Sequence, residues 1–258
     1  MSGKPFFYII IISCFVFLMS LTSSCVSPKK VIYLQNPLPS SSTNYQPSLQ
    51  PDDVLLIVVS SETPEVAAPF NLAPVNMQPN SELGTQQQRT LSYVVNSSGD
   101  INFPVLGSFK VSGMTTTDVS KLLYEKISKY IANPTIQVRL LNFKVSVLGE
   151  VARPGTITLT GERITILEAL SQSGDMTIYG DRKAVKVIRE ENDEKKIVSL
   201  DLTQSDFVNS PYYYLKQNDV VYVAPNPTKI NSSAIGPNLT VGLTALSLVI
   251  TLAALIIK

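Results

Sequence analysis

The sequence predicts an α+β fold of two successive small units, set between two membrane-directed ends. Three observations carry this. Alternating apolar residues, a capped amphipathic helix and further alternating residues follow one another in that order, twice over. An apolar stretch opens the chain behind a single lysine, and a second, charge-free apolar stretch closes it.

At the N-terminus, Lys4 supplies a positive charge and Phe6 to Met19 is an apolar run of 14 positions interrupted only by Ser13 and Cys14. Small residues Ser23 and Ser24 then precede Cys25. This is the layout of a secretion signal, residues 1–24, and the run is too short to span a bilayer comfortably. A small-residue site ending on Cys resembles the bacterial lipobox, with Leu21 four residues before the Cys instead of the usual three. The reading is lipidation of Cys25 (palmitate included); the alternative is an ordinary signal peptide with an incidental Cys. The chain has 2 cysteines, Cys14 and Cys25, so the processed protein would keep no free thiol and form no internal disulfide. A lipidated Cys25 is a firm membrane tether.

Composition excludes several classes. The 258 residues carry 21 basic and 20 acidic side chains, and Lys4 lies in the cleaved segment, so no charge excess points to nucleic acid. Histidine is absent, which removes the commonest general base and metal ligand. No Ser-His pairing, phosphate-cradling Gly loop or metal-ligand cluster replaces it, so neither enzyme activity, nor a metal, nor a cofactor is expected. Asp52-Asp53 sits just before a strand and suits a turn, and Glu190 to Lys196 reads as a solvated hairpin tip.

Between the ends, residues 25–47 read as an extended Ser/Pro/Asn/Gln-rich tether with one apolar patch at Val31 to Leu34. Val54 to Val59 is a continuous apolar run, expected as a buried strand. Residues 62–88 lose periodicity and read as a long exposed loop. Leu91, Tyr93 and Val95 alternate into a turn at Asn96 to Gly99 and out through Ile101, Phe103 and Val105, which predicts a hairpin. Thr115 with Asp118 forms a capping box for a helix reaching Ile131, ended by Asn133-Pro134. Ile136, Val138 and Leu140 alternate as a half-buried strand. Val145 and Val147 then lead to the Pro154-Gly155 turn and a return strand through Ile157 and Leu159. Thr165 with Glu168 caps a second helix that stops at Gly174. Strands at 184–189, 195–201 and 220–223 follow, then a Pro-rich linker, 225–237.

The last element, 238–258, is expected as a transmembrane helix. Leu239 to Ile257 is 19 residues without a charge, about 28 Å as a helix. Thr240, Thr244, Ser247 and Thr251 fall on one face. That hydroxyl stripe reads either as a close-packing helix contact or as the lining of a wet lumen. Tyr212, Tyr213 and Tyr214 are candidate glycan contacts, with alternating core and surface positions on a strand as the plainer reading.

Pro51-Asp52-Asp53-Val54, then Tyr93-Val94-Val95 and Gly99 through Gly107, resembles the polysaccharide export domain of outer-membrane polysaccharide exporters (the OPX family). That family's helix and following Asn-Pro strand are similar to Thr117 to Val138. Gly149-Glu150-Val151, Pro154-Gly155, Leu167 to Leu170, Ser173-Gly174-Asp175 and Asn218 to Val223 resemble the SLBB module, a β-grasp ligand-binding fold. The resemblance divides the chain into an export domain, 48–141, and one SLBB-like domain, 142–224. Asp52 stands where the family usually has Gly. The resemblance implies an outer-membrane lipoprotein with periplasmic domains, forming a homo-oligomeric ring, often an octamer. Its helices would enclose a conduit for capsular or exopolysaccharide cargo, fed by an inner-membrane copolymerase. It favours a lumen or subunit-contact role for the hydroxyl stripe. The alternative is a non-pore periplasmic adaptor or glycan-binding lipoprotein of the cell envelope.

Overall fold

The computed structural model describes residues 31–37, 45–72, 91–191, 194–234 and 237–256. The signal segment, Cys25 and Lys258 lie outside them, as do the side chains at 234, 237–240, 243 and 252–256.

Strand β1 (Val54–Ser60) is the centre of a three-stranded antiparallel sheet. It buries Leu55, Ile57 and Val59 and leaves Val58 exposed, so it is half-buried and not the doubly covered strand its apolar run suggested. Only one face of so small a sheet is covered. Beyond β1, a short helix, α1 (Pro64–Ala67), and a 3₁₀ turn (Ala68–Phe70) occupy the start of the expected loop. Asn71 staples them to the sheet: its Oδ1 accepts from the Val59 amide at 2.9 Å and its Nδ2 donates to the Val59 carbonyl at 2.8 Å. Residues 73–88 of that loop lie outside the described residues.

The expected hairpin is displaced by one turn. Strand β2 (Tyr93–Val94) pairs with β1, not with the strand that follows it. Strand β3 (Asp100–Phe103) instead pairs with β4 (Gly107–Lys110). The turn at Asn96 is present, since the Gly99 amide donates to the Asn96 carbonyl at 2.9 Å. A local signal marks a turn but does not choose a strand's partner.

Helix α2 (Thr116–Ile127) has the predicted capping box, Thr115 with Asp118. It stops four residues short of Ile131, and Asn133 takes a left-handed φ of 47° before Pro134. Val119, Leu123 and Ile127 form its fully buried stripe, each contributing about 1.5–3 kcal/mol of burial. Strand β5 (Thr135–Leu140) completes the first sheet, running antiparallel to β1 from Ser60↔Thr135 to Leu55↔Leu140.

The second unit holds β6 (Lys144–Gly149), β7 (Gly155–Thr158), β8 (Ile164–Thr165), α3 (Ile166–Gln172), β9 (Gly180–Glu191), β10 (Glu194–Leu200), β11 (Tyr214–Leu215) and β12 (Val220–Pro225). Its main sheet has the order β10-β9-β12-β6-β7, with β12 and β6 parallel. Helix α3 carries the predicted Thr165–Glu168 capping box and ends at Gln172, capped by Ser173, with Gly174 just beyond at a φ of +76°. The core is built from Val145, Val147, Val185, Val187 and Val221 on the sheet, covered by Ile166 and Leu170 of the helix.

Polar side chains join the two units. Asn142 accepts from the Val54 amide at 2.9 Å and donates to the Asp52 carbonyl at 2.9 Å. Gln217 accepts from the Lys144 amide and donates to the Asn142 carbonyl. Asp52 takes a φ of +69°, the conformation that glycine adopts most easily, so the turn keeps a glycine-type geometry without glycine.

Asp53 lies beside this joint, buried, with Oδ2 accepting from the Gln50 amide at 2.8 Å and Oδ1 without a partner. Burial pushes its carboxyl up to about 6, against the Gln50 amide and Gln217. The folded chain therefore holds a proton that the unfolded chain releases near pH 4. Its contribution to stability is full below that pH and is lost as pH rises through about 6. Asp53→Asn is expected to remove this fall. Urea midpoints of the two proteins, compared at pH 4.5 and pH 7.5, check it: the variant should gain relative to the parent at the higher pH.

Two expectations about connecting segments change. Part of the tether is docked: the Leu34 and Gln35 amides donate to the Leu202 and Thr203 carbonyls, and the Tyr45 ring stacks on Tyr214. The linker is largely a helix, α4 (Pro227–Ala234), with Pro at its start where no amide is needed. A final helix, α5 (Pro237–Ile256), follows.

Candidate functional site

Helix α5 occupies the place expected of the membrane element. Val241, Leu246, Leu248, Val249 and Ile250 are all exposed on the single chain. Among the described residues no helix is long and apolar enough to cross a membrane, so the crossing expected of Leu239 to Ile257 rests on the sequence alone.

The hydroxyl stripe is on the helix, and its donors are spent locally. Thr244 Oγ1 donates to the Val241 carbonyl at 2.9 Å, Ser247 Oγ to Thr244 at 2.8 Å and Thr251 Oγ1 to Ser247 at 2.8 Å. The Thr240 side chain lies outside the described residues. Hydroxyls bonded back to their own helix tolerate an apolar neighbour and still offer an oxygen lone pair outward.

Tyr212, Tyr213 and Tyr214 are half-buried and engaged with other side chains. The Arg189 guanidinium lies 4.6 Å from the centre of the Tyr212 ring. Tyr213 meets Tyr214 edge-on at 5.1 Å and tilts against Phe207 at 6.0 Å. Tyr214 stacks on Tyr45, with ring centres 4.9 Å apart and planes 2° from parallel. Tyr45 comes from the segment read as tether, so the cluster is partly covered by the chain's own N-terminal residues.

Under these rings lies a charge centre absent from the sequence reading. Arg189 and Asp219 are buried and paired, Nη2 to Oδ2 at 2.7 Å. Arg189 Nε also reaches both Asp219 oxygens, and its terminal nitrogens donate to the Pro211 and Tyr214 carbonyls. Asp219 accepts from the Lys216 amide at 2.8 Å. Burial raises the Asp219 carboxyl and the adjacent guanidinium opposes that; burial lowers Arg189 and the carboxylate more than offsets it. A signal was available. Arg189 falls at an inward position of β9, in step with Val185 and Val187, where a charge is costly unless paired.

A second centre also escaped the sequence reading. Tyr33 Oη donates to Asp175 Oδ1 at 2.6 Å, and the Arg182 guanidinium packs 5.1 Å from the Tyr33 ring centre. Among the described residues no three His, Cys, Asp or Glu side chains gather as a metal site. Both centres have the character of structural clamps, and the second lines a pocket, where Tyr33 and Asp175 meet Leu167, Leu170, Ser171 and Gly174.

Comparison with known proteins bears on the same two units. The model of the polysaccharide biosynthesis/export protein family matches residues 41–141, and that of the SLBB domain matches residues 143–223. Among curated proteins, the chain is similar to the EPS I polysaccharide export outer membrane protein EpsA of Ralstonia solanacearum. The two are 26% identical over 173 residues, which covers 66% of this chain and 43% of that protein. The protein of the same name from Ralstonia nicotianae is 29% identical over 165 residues, covering 59% and 40%. The chain thus spans about two-fifths of the length of the relatives it matches.

Proposed function

Because this chain belongs to the polysaccharide biosynthesis/export protein family and carries an SLBB domain directly behind the export domain, we propose that it exports an extracellular or capsular polysaccharide across the outer membrane. It is a transport protein and not an enzyme. The observation that carries the reading is the unbroken succession of the two domains, 41–141 and 143–223.

In this reading Cys25 is lipidated and holds the protein at the outer membrane, with both domains in the periplasm. Several copies form a ring, because a single helix cannot enclose a channel. The α5 helices of the ring cross the outer membrane side by side. Their exposed Val, Leu and Ile side chains support this, since such a face needs a neighbour or lipid to cover it. The Thr240, Thr244, Ser247 and Thr251 side then faces the lumen or the next subunit, presenting oxygen lone pairs to a hydrated glycan. Tyr212, Tyr213 and Tyr214 would touch cargo only at the ring edges left free by their protein partners, which suits a chain that must move on. An inner-membrane copolymerase would hand over the polysaccharide at the periplasmic rim.

Complementation tests the proposal. In cells lacking the protein, the full chain is expected to restore extracellular polysaccharide, and a chain ending at Asn226 is expected to leave it in the periplasm. Full restoration by the shortened chain would contradict the conduit and favour a soluble accessory role.

A further inference from the structure

The loop from Asp175 to Gly180 is held from four sides, one of them the 150–152 turn of its own domain, where the Thr177 amide donates to the Glu150 carbonyl at 2.9 Å and the Ala152 amide to the Asp175 carbonyl at 3.0 Å. From the inside, Arg182 is 5% exposed and donates to three of its carbonyls: Met176 and Thr177 at 3.3 Å and Gly180 at 3.4 Å. On one flank Tyr33 bonds Asp175 and covers the Arg182 guanidinium with its ring. On the other flank Asn226 takes the two remaining carbonyls. Its amide donates to Tyr179 at 2.7 Å and its Nδ2 to Ile178 at 3.1 Å. Asn226 is also the start of α4, where its Oδ1 accepts from the Lys229 amide at 3.0 Å. Lys229 in turn places its ammonium 5.0 Å from the centre of the Tyr179 ring.

Every carbonyl from Met176 to Gly180 therefore has a donor on Arg182 or Asn226, while Tyr33, far from both in sequence, bonds the Asp175 carboxylate at the start of the loop. A loop so fully bonded moves as one piece. The N-terminal segment grips one end of that piece and the C-terminal helices leave from the other.

We propose that the Asp175–Gly180 loop is a coupling junction, through which docking of Tyr33 fixes the direction in which α4 leaves the second domain. Arg182 is the positioning residue that joins the two grips, because it touches Tyr33 and shapes the carbonyls beside those Asn226 uses. Under the lipidated-anchor reading above, Val31 lies six residues from Cys25, at most about 21 Å of extended chain. The lipid and the C-terminal helix are then registered against each other through one loop. The junction itself does not depend on that reading, since its grips lie within one chain.

The test is a pair of spin labels on genetically encoded ketone residues at Lys186 and Ser233 of the full chain in detergent, read by pulsed dipolar spectroscopy. A second pair, at Thr158 and Lys186, monitors the domain alone. The unsubstituted chain is expected to give one narrow 186–233 distance, and Asn226→Ala to broaden it by freeing the helix start. Tyr33→Ala, which touches neither α4 nor Asn226, is expected to broaden it as well with the 158–186 distance unchanged. Tyr33→Phe keeps the ring on Arg182, folds without a cavity and is expected to broaden it less. The proposal is overturned if neither Tyr33 variant alters the 186–233 distance, or if each alters it only together with the 158–186 pair.

Discussion

Asp219→Ala is expected to lower the stability of the second domain by about 3–5 kcal/mol, the cost of leaving a buried charge without its partner. Arg189 cannot turn to water, because its side chain is 3% exposed and lies under the Tyr212 ring. The loss extends beyond the pair. Asp219 also holds the Lys216 amide, and Arg189 holds the Pro211 and Tyr214 carbonyls, so the segment carrying the three tyrosines loses its base. Replacing both partners by apolar residues, Arg189→Met with Asp219→Leu, is expected to recover much of the loss, because no charge then stays buried. Urea unfolding of the three proteins, followed by tyrosine fluorescence, checks both statements. A loss below about 1 kcal/mol for Asp219→Ala would place the pair among interactions that water readily replaces.

Gly149→Ala is expected to be nearly as severe, at about 3 kcal/mol or more, for a reason that involves no lost contact. Gly149 ends β6 at a φ of +94°, and a Cβ there would lie 2.0 Å from the Val223 carbonyl oxygen. That oxygen belongs to β12 and accepts from the Glu150 amide at 3.0 Å, so the backbone cannot withdraw without parting the parallel pair. Gly155 makes the control: no atom lies within 4 Å of its Cβ position and its φ is not left-handed. Gly155→Ala should leave the urea midpoint within a few tenths of a molar of the parent, whereas Gly149→Ala should shift it by more than about 1 M. Equal midpoints for the two variants would remove the steric argument.

What the sequence made legible was local. Both capping boxes sit three residues apart, Thr115 with Asp118 and Thr165 with Glu168, and each is formed as spacing predicts. Alternation located β5 and β6 within about two residues, because one face of each strand is buried. What escaped depends on partners far along the chain. The Tyr33–Asp175 bond spans 142 residues and the Asn36–Gln204 bond 168, so in a mostly polar, aperiodic segment the short apolar patch Val31 to Leu34 marks a docked piece without naming its partner. The displaced hairpin has the same cause: Tyr93 pairs with Leu55 across the long loop, a choice that its own neighbours do not encode. Helix α4 is a different kind of miss. Asn226-Pro227 is a helix-start signal, read as linker because Pro225, Pro227 and Pro237 stand so close together.

Of the site, the hydroxyl spacing on the last helix was legible and its chemistry was not. Residues three and four apart share a face, but only the structure brings the oxygens of Thr244, Ser247 and Thr251 onto carbonyls of their own helix. A face satisfied in this way suits either a neighbouring helix or a lumen.

Passage of the last helix through the outer membrane is tested most directly by labelling a Cys placed after Lys258 with a membrane-impermeant thiol reagent on intact cells. Lipidation would block Cys25 and processing would remove Cys14, so the signal reports the new site alone. A helix that crosses the outer membrane places that Cys outside, and labelling of intact cells is the expected result. Labelling only after the outer membrane is opened would put the C-terminus in the periplasm and contradict the conduit.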